Sequence, residues 1–412
     1  MNPAKFRLAG ALWLSGTLLI HALVLWNFRD FLWKGYPDFT IYYAAGTMVR
    51  RGLGHELYDN ATQFRVQREF ASGVTTRFAA LPFNHPPFEA VLFAPLSYFS
   101  YHAAYLLWGA INLALLAMLP VLLRPSVPLV RIVPGPAWML ASLAFFPIFL
   151  ALIQGQDTIL LLFLYALVFV SLRAGRVGPA GAWLALGLFK FHLVLPFVAL
   201  WLAGEKDLLQ RKKFACGFGA VALVLALVSI RSVGVRELAI YPRYVLGLEA
   251  NGGGGSIYPP VMPNLRGLLS VAIPDVPHVN WLVIFVSGIV FLVATWFARS
   301  SEPDSGGVRF SLFLLGTVLV SYHTLGHDLS ILMLPVFFLA ATFRAYSAWT
   351  WAHGAVFVGW SALVLSPLHL VLLMRYNRYG WMGLAVLLCF AGISRQAHGT
   401  APQFRTVGNR SQ

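Results

Sequence analysis

Residues 180–203 read AGAWLALGLFKFHLVLPFVALWLA. Among these 24 residues the one charged side chain is Lys190. As a helix the run is about 36 Å long, and about 20 apolar residues suffice to cross the hydrocarbon of a bilayer. Working outward, apolar runs recur at 8–28, 86–99, 103–123, 132–152, 157–172, 214–231, 280–298, 310–323, 329–343, 353–373 and 379–394. Together with 179–203 they predict about twelve spans, several of them short. The runs are continuous rather than alternating, which excludes an outer-membrane barrel. The predicted fold class is therefore an all-α, polytopic integral membrane protein.

Composition agrees. Of 412 residues, 58% are hydrophobic and 11% charged, and mean hydropathy is +0.72. Soluble domains carry about a quarter charged residues, so a water-soluble enzyme and a disordered chain are both excluded. Lys and Arg number 30 against 15 Asp and Glu, a net charge of +15. Basic residues flanking spans on the cytoplasmic side account for such an excess. An anionic ligand, such as a lipid phosphate, would also draw on it. The basic residues form no stripe, so no nucleic-acid partner is expected. Cys216 and Cys389 lie in or beside apolar runs and fit neither a disulfide framework nor a metal site. Lys5 and Arg7 precede the run Leu8–Phe28, which exceeds a signal-peptide core and lacks a small-x-small cleavage site. It reads as a retained anchor with the N-terminus inside.

The chain is expected to form one membrane domain over 1–395, with a disordered cytoplasmic tail at 396–412. Two polar loops interrupt it, at 29–82 and 232–279. The first holds two helix-spaced patterns, Thr40–Arg51 and Ala61–Ala71, expected to lie in the membrane interface. The second contains Asn251-Gly-Gly-Gly-Gly255, a flexible hinge or tip. Counting crossings places both loops and the turn His323–Asp328 outside, and the basic cluster around Arg211–Lys213 inside. The same count leaves Arg124, Arg131, Arg173 and Arg176 outside, against the positive-inside rule. It also puts Gly155-Gln156 inside. A re-entrant segment near 86–99 or 145–156 would repair part of this.

Five constellations carry chemistry. Asp38 follows Pro37 just past the first span; it can cap the helix beginning near Phe39 and can serve as a partly desolvated base. Tyr42 and Tyr43 beside it fit substrate contacts or an interfacial aromatic belt. Asn84 and His85 precede a Pro86-Pro87 turn into a span, and Glu89 is either a first-turn acid or a carboxylate facing a cavity. Gln154-Gly-Gln156-Asp157-Thr158 combines a cap with amides suited to a polar ligand such as a sugar. Lys190 and His192 lie inside a span, where an ionisable side chain marks a functional site or a buried pair, with Glu89 as one possible partner. His323-Thr-Leu-Gly-His327-Asp328 resembles a zinc pair in spacing, but Gly326 and the lack of a third ligand favour histidines that meet an anion. Arg243, Asn264 and Arg266 in the second loop are further phosphate or sugar contacts, or plain surface residues.

The order of these motifs resembles the GT87 family, which comprises DUF2029-type membrane mannosyltransferases of the GT-C fold. The resemblance rests on Asp38-Phe-x-x-Tyr42-Tyr43-x-Ala, Gly52 to Leu57-Tyr58, the Pro-Pro-Phe entry to Ala94-Pro95-Leu96, Gly155-Gln156, Gly187-Leu-x-Lys190, Asn264-Leu-Arg266-Gly and His327-Asp328. It spans about 30–390. It implies a polyprenyl-phosphate-mannose donor, inversion at the anomeric carbon, and a site on the extracytoplasmic face. It also implies that Asp38 is the catalytic base. Lys190, Arg266 and His327 are then the candidates for the leaving phosphate, with His327 first. Tyr42, Tyr43, Asn84, His85, Gln156, Asn264, His323 and Asp328 are the substrate-binding candidates. A lipid phosphate can leave without a metal when cations stabilise it, so no cofactor is expected, although a divalent cation is compatible. His85 stands where the family often has tyrosine, and Asp157 where an asparagine-like residue often follows.

The resulting expectation is an inverting glycosyltransferase of the bacterial inner membrane, its site facing the periplasm. It would move a hexose from a polyprenyl phosphate to a lipid or glycan acceptor. A transporter or lipid-carrier flippase would use the same polar residues along a path, yet no inverted repeat is visible. A lipid-linked glycan polymerase or ligase would share the outer face but carry more arginines in its large loop.

Overall fold

The structure, a computed structural model, describes residues 3–35, 37–71, 81–127, 130, 133–250, 258–274, 279–300, 307–342 and 350–396. The hinge expected at 251–255 and nearly all of the expected tail lie outside the described residues. Among the described residues every regular element is helical.

Among the described residues, five helices are long and apolar enough to cross a membrane: Leu8–Trp33, Tyr101–Leu123, Val177–Gly204, Leu208–Val233 and Asn280–Ser300. Two further pairs, Gly135–Ala144 with Phe146–Gln154 and Trp351–Val364 with Ser366–Arg375, are bent by 77° and 69°, which raises the number of spans to at most seven. The chain is a polytopic membrane protein, and its described residues hold fewer full-length spans than the twelve apolar runs predicted. The reason is length. Val308–Val320 has 13 residues and is therefore about 20 Å long, well short of a bilayer core. It is apolar because protein surrounds it: residues Phe310–Leu319 are all buried. The 16-residue helix Thr158–Arg173 is mostly covered too, with nine residues between Thr158 and Phe169 buried. The long helices instead present leucine and tryptophan outward, with Trp281 70% and Leu292 68% exposed, as surfaces solvated by lipid do.

The short helices form the core. Thr158–Arg173 packs between Tyr101–Leu123 and Val177–Leu186, and Val308–Val320 between Phe191–Gly204, Val279–Ser300 and Met382–Gln396.

The first polar loop is folded into this body rather than laid on its surface. Helix Phe39–Arg50 was expected in the membrane interface, but its residues Phe39–Met48 are buried. The segment 87–98 covers one side and helix Asn60–Arg68 another. Gly46 permits the first contact, since a Cβ there would stand 2.7 Å from the Phe93 backbone. Glutamines join the layers. Gln63 accepts from Phe83 N (2.9 Å) and donates to Leu57 O (2.7 Å), while Gln67 both accepts from and donates to the Leu81 backbone. The extended segment 81–85 is thereby fixed, and with it Asn84 and His85.

The run 86–99 is not a span. Pro86, extended, and Pro87, at the first helical position, start the seven-residue helix Pro87–Phe93, and the 3-10 turn Ala94–Tyr98 ends it.

Candidate active site

A cavity of about 410 Å³ opens where the first loop meets the core. Its polar wall includes Asp38, Asn84, His85, Gln154, Gln156, Lys190, His192, His323, His327 and Asp328, and its apolar wall includes Ile41, Phe189, Phe191 and Leu246. Residues separated by up to 290 positions in the chain thus share one chamber, of a size usual for small-molecule sites.

The bend at Phe145 explains how Gln156 arrives there. Helix Phe146–Gln154 turns back and stops at Gly155, which is left-handed (φ 63°). Gln156 N bonds to Ala151 O (2.8 Å) and Gly155 N to Leu152 O (3.2 Å), the paired bonds of a Schellman stop. A Cβ on Gly155 would stand 2.7 Å from Phe39 Cβ, so glycine is required by both backbone and space. Helix Tyr101–Leu123 then holds the turn: Tyr105 Oη donates to Ile153 O (2.6 Å) and Trp108 Nε1 to Gly155 O (3.0 Å). The crossing count that separated Gln156 from Asp38 fails because this pair of helices is broken.

At the centre, Gln156 Nε2 donates to Asp38 Oδ2 at 2.7 Å. Its Oε1 accepts from Tyr42 Oη (2.8 Å) and Lys190 Nζ (3.2 Å). Two donors on one side of the amide fix its orientation, so its N–H faces the carboxylate. Neither Asp38 nor Asp157 makes the side-chain cap bond that their positions before helices suggested. Both carboxylates are turned to other partners.

Lys190 is reached from Gly187–Lys190, a 3-10 turn that interrupts the apolar run. Its Nζ lies 3.2 Å from Asp157 Oδ1 and 3.6 Å from Asp328 Oδ1. These are its acidic partners, rather than the Glu89 suggested by sequence. Glu89 instead meets His85, Nδ1 to Oε2 at 2.7 Å. Asp328 also accepts from Leu325 N (2.8 Å), which closes the turn before it. His327 Nδ1 bonds to Gln154 Oε1 at 2.8 Å, so the ring proton sits on Nδ1 when that oxygen accepts. Burial, reinforced by His192, pushes the His323 imidazole down to about 3, so it is neutral at pH 7. Burial with Lys190 nearby pushes His85 down to about 4.

The other sequence candidates stand elsewhere. Tyr42 lies behind Gln156 and stacks on Phe93 at 4.7 Å. Tyr43 turns away to donate to Phe99 O (2.7 Å), and it is buried rather than part of an interfacial belt. Asn264 caps helix Leu265–Ala272 by accepting from Gly267 N (2.9 Å) and donates to Ser321 O (2.7 Å), so its amide is used within the fold. Arg266 stacks its guanidinium over Tyr322, 4.3 Å from the ring centre, and Tyr322 is the residue of that pair on the cavity wall. Sequence reasoning named Gln154 and His192 within wider motifs, but it did not place Asp157 or Tyr322 at the site. Asp157 offered a signal, an acid at the mouth of a buried helix, which was absorbed by the capping explanation.

The family profile of glycosyltransferase family 87 matches residues 83–321, more than half of the chain. The chain belongs to glycosyltransferase family 87. No curated protein and no solved structure matches it. The GT87 match begins at the segment that carries Asn84 and His85 and includes Gln156 and Lys190. Asp38 lies before it, and His323, His327 and Asp328 lie after it, so the cavity joins matched and unmatched parts of the GT87 chain. Membership makes the protein a glycosyltransferase, with a sugar donor and an acceptor as its partners.

Proposed function

We propose that this membrane glycosyltransferase transfers a hexose, with mannose as the first candidate, from a polyprenyl-phosphate donor to a lipid or glycan acceptor. The site would face the outer side of the bacterial inner membrane. The observation that carries the reading is the bond from Gln156 to Asp38: a carboxylate at a cavity wall, oriented by an amide that Lys190 and Tyr42 hold in turn. In this reading the acceptor hydroxyl yields its proton to Asp38 while its oxygen attacks the anomeric carbon. The bond from that carbon to the phosphate oxygen breaks on the opposite face, its electron pair leaves on the phosphate, and configuration inverts. His327 and Lys190 would offer N–H groups to the phosphate. Asn84, His85 and His323 would meet sugar hydroxyls. Asp328 would fix Lys190, and Arg266 would support the wall through Tyr322.

The test uses purified protein in nanodiscs with radiolabelled polyprenyl-phosphate-mannose and a membrane lipid extract. Wild type is expected to move label to a new product, and Asp38→Asn is expected to remain folded and bind donor without transfer. Turnover retained in Asp38→Asn would remove Asp38 as base. Wild type that neither binds nor consumes the donor would remove the donor class.

A further inference from the structure

Beside the Asp38–Gln156–Lys190 chain lies a second cluster, of which the transfer reading uses His85 alone. His85 and Glu89 come from the Pro86-Pro87 turn and the helix it starts, and Asp157 comes from the residue before Thr158–Arg173. Glu89 and Asp157 are fully buried and His85 is 8% exposed. One donor atom from each lies within 4.8 Å of the other two. His85 Nδ1 is 2.7 Å from Glu89 Oε2 and 4.0 Å from Asp157 Oδ2. His85 Nδ1, both Glu89 oxygens and both Asp157 oxygens touch one another and, at Asp157, Lys190, but none of these contacts has hydrogen-bond geometry good enough to satisfy the buried atoms fully. Such groups normally find partners when buried.

Charge sharpens the point. Among the described residues, the ion pairs to Glu89, Asp157 and Asp328 come from Lys190 and from histidines. Lys190 is divided between Asp157 and Asp328. Three buried carboxylates therefore share one fixed positive charge, and buried carboxylates persist only when paired, protonated or metal-bound. The donor set answers this. One imidazole nitrogen and two carboxylates suit a divalent transition cation, whose ligands at about 2.0–2.2 Å stand about 3–4.4 Å from one another; the 4.0 Å pair already lies in that range, and the 2.7 Å pair has to open slightly to admit the ion. Lys190 occupies Asp157 Oδ1, which leaves Oδ2 directed at His85.

We propose that His85 Nδ1, Glu89 and Asp157 form a binding site for one divalent transition cation, such as Mn²⁺ or Zn²⁺, against the wall of the cavity. His85 is the ligand that also lines the cavity. The cation offsets the two carboxylates and turns this wall from acidic to near neutral. That second consequence, easier entry of an anionic donor, rests on the phosphate reading above; the binding itself does not.

The experiment uses the full chain in nanodiscs, stripped with a chelator and titrated with Mn²⁺. Binding is read as loss of the free-Mn²⁺ paramagnetic resonance signal, and nitrogen coupling is read on the bound ion. The expected result is one saturable Mn²⁺ per chain with histidine nitrogen coupling, displaced by Zn²⁺. Glu89→Gln and Asp157→Asn should each weaken binding at least about tenfold, since even changes behind a ligand cost about 10–100-fold. Glu69→Gln, at an exposed position, should bind as wild type does. Absence of saturable binding to wild type would overturn the proposal and assign the cluster to a shared proton, whatever the variants do. Binding that survives both Glu89→Gln and Asp157→Asn would overturn it too. A chain that binds Mn²⁺ but ignores polyprenyl-phosphate-mannose would sustain the metal site and sink the donor reading, so the two failures are distinct.

Discussion

Gln156→Leu isolates the contact on which the reaction reading turns. The substitution keeps the side chain's approximate volume and removes the amide. Asp38 loses a 2.7 Å bond from a neutral donor, and Tyr42 Oη and Lys190 Nζ lose their common acceptor. A hydrogen bond to a charged group contributes about 1.5–3 kcal/mol. If that energy serves to hold Asp38 in its reactive position, kcat falls about 13-fold to 160-fold, at about 1.36 kcal/mol per decade. KM for the acceptor should change little, because the amide acts on Asp38 rather than on the ligand. Gln156→Glu provides the complementary reading. It still accepts from Tyr42 and Lys190 but sets a second carboxylate against Asp38, which disfavours the ionised base. The acidic limb of the rate profile should therefore move to higher pH. Initial rates of label transfer in nanodiscs, taken from pH 5 to 9, measure both variants. Turnover of Gln156→Leu within twofold of wild type, with an unmoved profile for Gln156→Glu, would refute the positioning argument.

Other outcomes follow from the same geometry. Gly155→Ala forces a Cβ into a left-handed backbone and against Phe39, at a cost of at least about 1–2 kcal/mol for the backbone alone; a lowered unfolding midpoint together with reduced transfer is expected, because Phe39 adjoins Asp38. His323 is held neutral in the fold but titrates near 6.5 when unfolded. The unfolded chain therefore binds the extra proton, and stability falls as pH drops from about 6.5 toward 3, by up to about 1.4 kcal/mol per pH unit. Thermal midpoints of His323→Asn across pH 7 to 5 should show a shallower slope than wild type, with His192, His327, Asp328 and Lys190 still facing the position. Arg51→Ala breaks a two-point pair with Glu69 that is exposed on both sides. Its midpoint should correspond to a loss under about 1 kcal/mol, and transfer should be unchanged.

The helical, membrane-bound character was legible because it depends on local hydropathy, which a run such as 180–203 displays without any partner. The number of spans was not, because an apolar run looks alike whether lipid or protein surrounds it. Val308–Val320 and Thr158–Arg173 belong to the second case. The cavity was partly legible. Asp38, Asn84, His85, Gln156, Lys190, His323, His327 and Asp328 were each singled out as polar groups in costly surroundings, and all line one wall. Which of them touch was hidden, since Gln156 meets Asp38 across 118 positions and no periodicity encodes that distance. Asn264 drew attention for the same polarity yet is consumed by a helix start. Asp157 was credited with a cap bond that its carboxylate does not make.

The short buried helices also bear on how the chain is assembled during synthesis. A segment about 20 Å long has no stable seat of its own across a lipid layer. Val308–Val320 is enclosed by Phe191–Gly204 and Val279–Ser300, made before it, and by Met382–Gln396, made some seventy residues later. Insertion of the long helices can proceed one at a time as they leave the ribosome. Seating of the central segment must wait until Met382–Gln396 has been made. The His323 side of the cavity hangs from that segment through the bond from Ser321 Oγ to His323 O, so this wall takes its final form only after a helix made much later has joined it.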